Sequence, residues 1–182
     1  MAAKSISETS TPEDVLEYLI DTYGPKDKKF IRSVLAAVRK RVPTANELLY
    51  EYNGFFVIAY SPTDHPINGI LSVAGRDDGL SLYFTHGKQL PDPNKLLKGS
   101  ANVRFIKLES ASRVTDPEVE ALIAAEIALA SVPLPADGKG RLIIRSVGKK
   151  KAAAKKKPAN KSAAKKNALK KKATGKKRSA KR

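Results

Sequence analysis

Cysteine is absent from the sequence, and so is any long apolar run. Without a thiol the chain forms no disulfide, binds no metal through thiolates and has no cysteine nucleophile. No segment reaches the roughly 18 consecutive apolar residues that a membrane-spanning helix requires. Residues 1–10 also lack the apolar stretch of a secretory signal. These absences predict a cytoplasmic protein that does not insert into a membrane.

Acidic residues are absent from the last part of the chain, where the basic residues are concentrated. Residues 149–182 contain 17 Lys and Arg and no Asp or Glu. Residues 1–148 hold the other 18 basic residues and all 18 acidic ones, so the net charge of +17 lies entirely in the C-terminal segment. Such charge asymmetry within one chain is typical of an interaction arm.

We call residues 149–182 the lysine tail and predict that it is disordered. Ala, Pro, Ser and Gly fill most of its gaps and Leu169 is its only large apolar residue, so it cannot form a core. A polycation of this kind binds nucleic acid by releasing condensed counterions. Because it has no interleaved aromatics and no fixed scaffold, it cannot read base edges.

The composition of the lysine tail resembles the tails of linker histones and of bacterial histone-like proteins. We therefore expect it to bind DNA or RNA without sequence specificity and to place the protein on the nucleoid. The predicted contacts are Lys149, Lys150, Lys151, Lys155, Lys156, Lys157, Lys161, Lys165, Lys166, Lys170, Lys171, Lys172, Lys176, Lys177, Arg178, Lys181 and Arg182. The alternatives are a solubilising segment that adheres to ribosomal RNA, another polyanion, or nuclear import through Lys176–Arg178 in a nucleated cell.

Residues 11–131 show the apolar periodicities of a folded α+β domain, after a flexible N-terminus at residues 1–10. Two helices are expected first, one from Thr11-Pro12 to Gly24-Pro25 and one over Lys26–Arg41. The predicted strands are Glu47–Tyr52, Phe55–Ser61, Gly69–Ala74, Leu80–Thr85 and Val103–Leu108. A short helix, Asn94–Leu97, and a long helix from Asp116 to Leu129 complete the predicted domain.

These elements predict an antiparallel sheet of about five strands with helices packed on one face. Asn53-Gly54 and the segment 75–79 supply the hairpin turns. Residues 132–148 are rich in Pro and Gly and are predicted to be a linker, in which Leu142–Ile144 is a candidate short edge strand.

Several short motifs in the predicted domain resemble the YdhG-like family, a domain family of unknown function. The motifs are Glu47–Asn53, Leu82–Gly87, Leu90–Pro93, Leu96–Gly99, Val103–Ile106 and Pro117–Ile123. The resemblance implies a frataxin-like α+β fold, and some members of the family are described as intracellular iron chaperones. It supplies no catalytic residues, and the lysine tail is an addition to the family domain.

Three acidic residues recur at helical spacing on the first predicted helix. Glu13, Glu17 and Asp21 are four residues apart and therefore form one ridge. Hard oxygen ligands bind iron and other divalent ions, so the ridge is a candidate iron site. The alternative is a solvated helix face whose acids favour the positive end of the helix dipole.

No other group of residues carries a catalytic signature. His65 and His86 lack an acidic partner at ligand spacing, and a Ser81, His86 and Asp77 arrangement is not specific. The strand aromatics either pack the core or stack bases on an open sheet face. Those aromatics are Tyr50, Tyr52, Phe55, Phe56, Tyr60, Tyr83 and Phe84.

Taken together, the sequence predicts a non-catalytic domain that the lysine tail tethers to nucleic acid. The alternative function is a metallochaperone or small-ligand carrier built on the folded domain. No resident cofactor is expected apart from iron in that alternative, and the oligomeric state is left open.

Overall fold

A computed structural model describes residues 10–52, 55–76 and 78–146 of the chain. The described residues form three α-helices, six strands and two short 3₁₀ helices, Pro66–Asn68 and Ala111–Thr115, so the predicted α+β class is confirmed. The helices are α1 (Pro12–Ile20), α2 (Pro25–Arg41) and α3 (Pro117–Ala128). The strands are β1 (Asn46–Tyr52), β2 (Phe55–Ser61), β3 (Leu71–Arg76), β4 (Gly79–Phe84), β5 (Arg104–Leu108) and β6 (Leu142–Ser146).

The first helix begins where the sequence predicts, and its cap explains why. The Thr11 hydroxyl accepts a hydrogen bond from the Asp14 backbone N–H, and the Asp14 carboxylate accepts one from the Thr11 N–H. This reciprocal capping box satisfies two of the amides that a helix start leaves free, and Pro12 needs no partner in the first turn. The helix ends at Ile20, four residues before the Gly24-Pro25 pair that starts α2.

The sheet is mixed and has six strands in the order β5-β4-β3-β2-β1-β6, one more than the predicted antiparallel sheet of about five, because the candidate edge strand at Leu142–Ile144 joins it as β6. Strands β1 to β5 pair antiparallel with their chain neighbours. The chain then passes through α3 from the β5 edge to the opposite edge, where β6 pairs parallel with β1. The direction of this last strand follows from the path of the returning chain, which local sequence does not encode.

The predicted linker therefore contributes a strand to the domain, and a close backbone approach anchors it. The Gly140 N–H donates to the Pro43 carbonyl at 3.1 Å, and the Glu47 N–H donates to the Arg141 carbonyl at 2.8 Å. A Cβ atom at Gly140 would lie 1.7 Å from the Ala45 carbonyl oxygen. Only glycine allows the segment to enter β6 along this path.

All three helices bury their apolar side chains against the same face of the sheet. Leu49, Ile58, Val73, Leu82 and Ile106 pair across five strands and form one row of that face. The row belongs to one buried cluster with the apolar stripes of α1, α2 and α3. We call this the helix-covered face. It matches the expectation of helices packed on one side.

The predicted short helix Asn94–Leu97 is wrong. The Asp92 carboxylate accepts hydrogen bonds from the backbone N–H groups of Leu96 and Leu97 at 2.8 and 2.9 Å, and Lys95 has a φ of 54°. The aspartate side chain thus replaces helical carbonyls as acceptor, and the left-handed residue ends any helical path.

Candidate nucleic-acid interface

The predicted nucleic-acid contacts of the lysine tail, Lys149 to Arg182, lie outside the residues that the structure describes. The predicted flexible segment 1–10 is described only at Ser10, and Asp77 of the candidate triad is not described. These assignments stay predictions.

Two of the three carboxylates on the predicted metal ridge are paired with cations of α2. Arg32 Nη2 donates to Glu17 Oε2 at 2.6 Å, and Lys28 Nζ donates to Asp21 Oδ1 at 2.9 Å. The hydrogen bond that Arg32 donates to Glu17 is the main cause that raises the pKa of Arg32. A metal ion on this ridge would have to displace both cations. Within the described ranges, no group of three or more His, Asp or Glu side chains is placed to hold a metal.

The sheet face opposite the helices is lined by small, aromatic and basic side chains, and we call it the helix-free face. Residues that pair across a sheet point to the same side, so the strand registers assign its members. The members are Leu48, Tyr50, Tyr52, Phe55, Val57, Ala59, Ser72, Ala74, Arg76, Ser81, Tyr83, Phe105, Lys107 and Ile143. Leu48, Ala74 and Ser81 are buried, and the other members are partly or fully exposed.

Aromatic side chains form two groups on the helix-free face. The Tyr52 ring stacks on Phe55 at 5.5 Å and on Tyr50 at 5.9 Å, and Tyr52 remains 45% exposed. Near the other edge, Tyr83 and Phe105 lie 5.2 Å apart. The consecutive pair Phe55-Phe56 is split between the two faces, because Phe56 is buried beside Gly75.

The helix-free face carries two cationic side chains, Arg76 and Lys107, and one of them is paired with a carboxylate. The Arg76 guanidinium lies 4.7 Å from the Phe55 ring centre, and Lys107 extends from β5 to pair with Asp78. The strands described contain two carboxylates, Glu47 and Glu51, and their cross-strand partners Tyr60 and Phe56 place both on the helix-covered face. Sequence reasoning overlooked Phe105 and Lys107, although their alternation with Ile106 and Leu108 is the signal of a shared strand face.

Glu47 is buried and pairs with Arg39, an exposed residue near the end of α2. Arg39 donates from Nε to Glu47 Oε1 at 2.6 Å and from Nη2 to Oε2 at 2.7 Å. This bidentate hydrogen bonding raises the pKa of Arg39. Tyr60 faces Glu47 across the sheet, and its hydroxyl finds no hydrogen-bond partner within the described part of the chain. Burial, and then the Glu47 charge, raise the pKa of Tyr60 well above its ordinary value.

Ser81 and His86 are the two described residues of the candidate triad with Asp77, and the structure gives them different surroundings. Ser81 is a member of the helix-free face, whereas the His86 Nδ1 lies 2.9 Å from Glu126 Oε1 on α3. Glu126 is a partner that the sequence spacing did not reveal, because it lies 40 residues away from His86.

An open cleft of about 260 Å³ lies between α1 and the β1–β2 hairpin. Its lining residues are Tyr18, Leu19, Thr22, Tyr23, Glu51, Phe55 and Phe56. One of these residues is acidic and none is basic, so the cleft does not suit a phosphate. It adjoins the helix-free face through Phe55.

Comparison of the chain with models of protein families, with curated proteins and with solved structures finds no match. Over the ranges that the structure covers, no helix is both long and apolar enough to span a membrane.

Proposed function

We propose that this protein is a nucleoid-associated or RNA-associated accessory protein. In this proposal a non-catalytic, YdhG-like domain is held on DNA or RNA, without sequence preference, by the lysine tail. The observation that carries the proposal is the segregation of charge, with 17 basic residues and no acidic ones in residues 149–182. Counterion release gives such a segment affinity for any phosphate chain.

The ion pairs of the domain support this proposal. Six carboxylates are already paired with cations of the domain itself: Glu17–Arg32, Asp21–Lys28, Glu47–Arg39, Asp78–Lys107, Asp116–Arg113 and Glu120–Arg41. If the lysine tail folded back onto these acids, it would leave the domain's own cations unpaired. Residues 1–148 contain equal numbers of both charges, so the net charge of +17 is available to a polyanion outside the chain.

The arrangement of α1, α2 and α3 on one face of the sheet fits the frataxin-like architecture that the family resemblance implies. The rival proposal, an iron chaperone, has less support because Arg32 and Lys28 occupy two carboxylates of its ridge. Cations at these positions repel a divalent metal, and they contact the oxygens that would bind it.

The test compares the full chain with a variant that ends at residue 148. We expect the full chain to bind DNA cellulose at low salt and the truncated chain to pass through. In the matched full-length variant, Lys170, Lys171 and Lys172 are replaced by Gln, and it should elute at a salt concentration between the two. If the truncated chain is retained as strongly as the full chain at the same salt, the lysine tail is not the tether.

A further inference from the structure

The helix-free face has a composition that tethering by the lysine tail does not require. It combines the Tyr52–Phe55 stack, the Tyr83–Phe105 pair and the Arg76 guanidinium on a sheet side against which α1, α2 and α3 do not pack. Tyr52 is 45% exposed next to further aromatic rings, and tyrosine is a residue type that is enriched at binding interfaces.

We propose that the helix-free face binds single-stranded nucleic acid by stacking unpaired bases on its aromatic side chains. Every base has a flat π-face, so a tyrosine or phenylalanine on an accessible sheet surface binds bases of any sequence. This inference rests on the proposed function, because the lysine tail brings the nucleic acid to the domain. It adds a selectivity for single strands that a polycation alone lacks.

The arrangement of the two aromatic groups fits an extended strand. One group lies at β1 and β2 and the other at β4 and β5, so they are separated by roughly 14 Å across the strands, at about 4.8 Å per strand. The small side chains of Ala59, Ser72 and Ala74 lie between them. The two groups are also offset along the strands, since Tyr83 and Phe105 are in register with Leu48, four residues before Tyr52, so a bound strand would cross the sheet diagonally.

Charge complementarity points to a nucleic acid as the occupant. Lys107 is already paired with Asp78, so Arg76 supplies the positive charge that this face offers to a phosphate, and both carboxylates of the described strands lie on the opposite side. Arg76 over Phe55 places a cation beside a stacking ring, where a phosphate follows its base. If the nucleic-acid test fails, the result would favour a protein partner that covers this face with acidic groups.

Duplex DNA serves as the internal control because its bases are already stacked and paired. The face should therefore contribute to binding of single strands and leave duplex binding to the lysine tail. Poly(U) and poly(dT) form the two single-stranded arms, and poly(dU), which differs from poly(U) only in the ribose hydroxyl, shows whether that hydroxyl is read.

The experiment measures fluorescence anisotropy of labelled poly(U), poly(dU), poly(dT) and a duplex of equal length with the full chain. We expect Tyr52→Leu to weaken single-strand binding by about fivefold or more and to leave duplex binding unchanged. Arg76→Gln should weaken single-strand binding more than Lys40→Gln, which removes the same charge from an exposed site on α2. Equal losses for single strand and duplex, or none, would overturn the inference.

A second measurement keeps the test independent of how the variants fold. Photo-crosslinking of 4-thiouridine RNA to the unaltered chain should label peptides that contain Tyr52 and Phe55. Labelling confined to residues 149–182 would overturn the stacking inference and leave the tether intact. If the full chain binds no probe at low salt, the proposed function itself is wrong.

Discussion

His86 contacts the carboxylate of Glu126 through both its backbone N–H and its ring. The backbone N–H of His86 donates to Glu126 Oε1 at 2.9 Å, and the Nδ1 of the ring lies 2.9 Å from the same oxygen. Glu126 is fully buried on α3, so its carboxylate ties the end of β4 to that helix. Removing the Glu126 carboxylate would therefore leave the His86 N–H without its acceptor.

We expect Glu126→Ala to lower the free energy of unfolding by about 1–3 kcal/mol. The physical reason is that the His86 N–H would stay buried without an acceptor. Glu126→Gln keeps an acceptor oxygen and should lose less. Urea unfolding followed by circular dichroism measures both changes.

The matched control is Glu118→Ala, which removes an exposed carboxylate from the same helix. Its effect should stay within about 0.5 kcal/mol. An equal loss in Glu118→Ala and Glu126→Ala would show that the contact with His86 is not stabilising.

Tyr60→Phe should keep or raise the stability at neutral pH, by up to about 1 kcal/mol. The tyrosine hydroxyl is buried and finds no partner in the part of the chain described, so its removal relieves an uncompensated desolvation. Thermal or urea unfolding measures the change, and Tyr52→Phe at the exposed position is the control. A loss above about 1 kcal/mol would indicate a hydrogen bond on this hydroxyl.

The same substitution should flatten the alkaline limb of the stability curve. The pKa of Tyr60 is raised in the folded state, so above about pH 10 the unfolded chain loses a proton that the folded chain keeps. The unfolded state then binds fewer protons, and the free energy of unfolding falls as the pH rises. In Tyr60→Phe this part of the fall is absent, which urea titrations between about pH 9 and 11 would detect.

Gly140→Ala should detach β6 from the sheet. The new Cβ would lie 1.7 Å from the Ala45 carbonyl oxygen, so the backbone must move and the hydrogen bond from Gly140 to Pro43 is lost. Amide hydrogen exchange should show protection falling by about 1–3 kcal/mol in Leu142–Ser146. The amides of β3 should keep their protection against exchange. Lys139→Ala changes an exposed neighbour and should leave every strand protected.

The salt dependence of nucleic-acid binding should report the number of tail lysines engaged. On duplex DNA each phosphate contact contributes a slope of roughly −0.9 in log affinity against log salt. Replacing Lys170, Lys171 and Lys172 by Gln should therefore reduce the slope by about 2–3. Replacing Lys26, Lys29 and Lys40, three exposed lysines of α2, by Gln should leave it unchanged.

Iron(II) should leave the acidic ridge of α1 undisturbed. Arg32 and Lys28 already pair with Glu17 and Asp21, so a metal gains little there. Amide resonances followed during an iron(II) titration should show no shifts confined to Glu13, Glu17 and Asp21. Saturable shifts at these three residues would revive the metallochaperone hypothesis.

Local patterns in the sequence predicted most of the elements. The start signal at Thr11-Pro12 and the apolar stripe of α2 place two helices, and the strand patterns place β1 to β5 within two residues of their observed ends. The wrong prediction of a helix at Asn94–Leu97 also has a physical cause. The Asp92 side chain replaced helical carbonyls, which changed a predicted helix into a turn.

The candidate site was less accessible to sequence reasoning than the elements. The aromatic residues of β1 to β4 were identified, but their division between core and surface depends on which side of the sheet the helices cover. Phe105 joins Tyr83 only through the pairing of β4 with β5. The cations that neutralise the acidic ridge come from a neighbouring helix, and the packing of two helices is not a local property.

The sequence by itself determined the segregation of charge and the succession of helices and strands, because both depend on composition and on spacing along the chain. Tertiary structure alone decided that β6 runs parallel to β1, that Glu126 holds His86, and that Tyr52, Phe55, Tyr83 and Phe105 share the helix-free face. These relations join residues that are distant in sequence. They arise only when the apolar faces of the helices bury themselves against one side of the sheet.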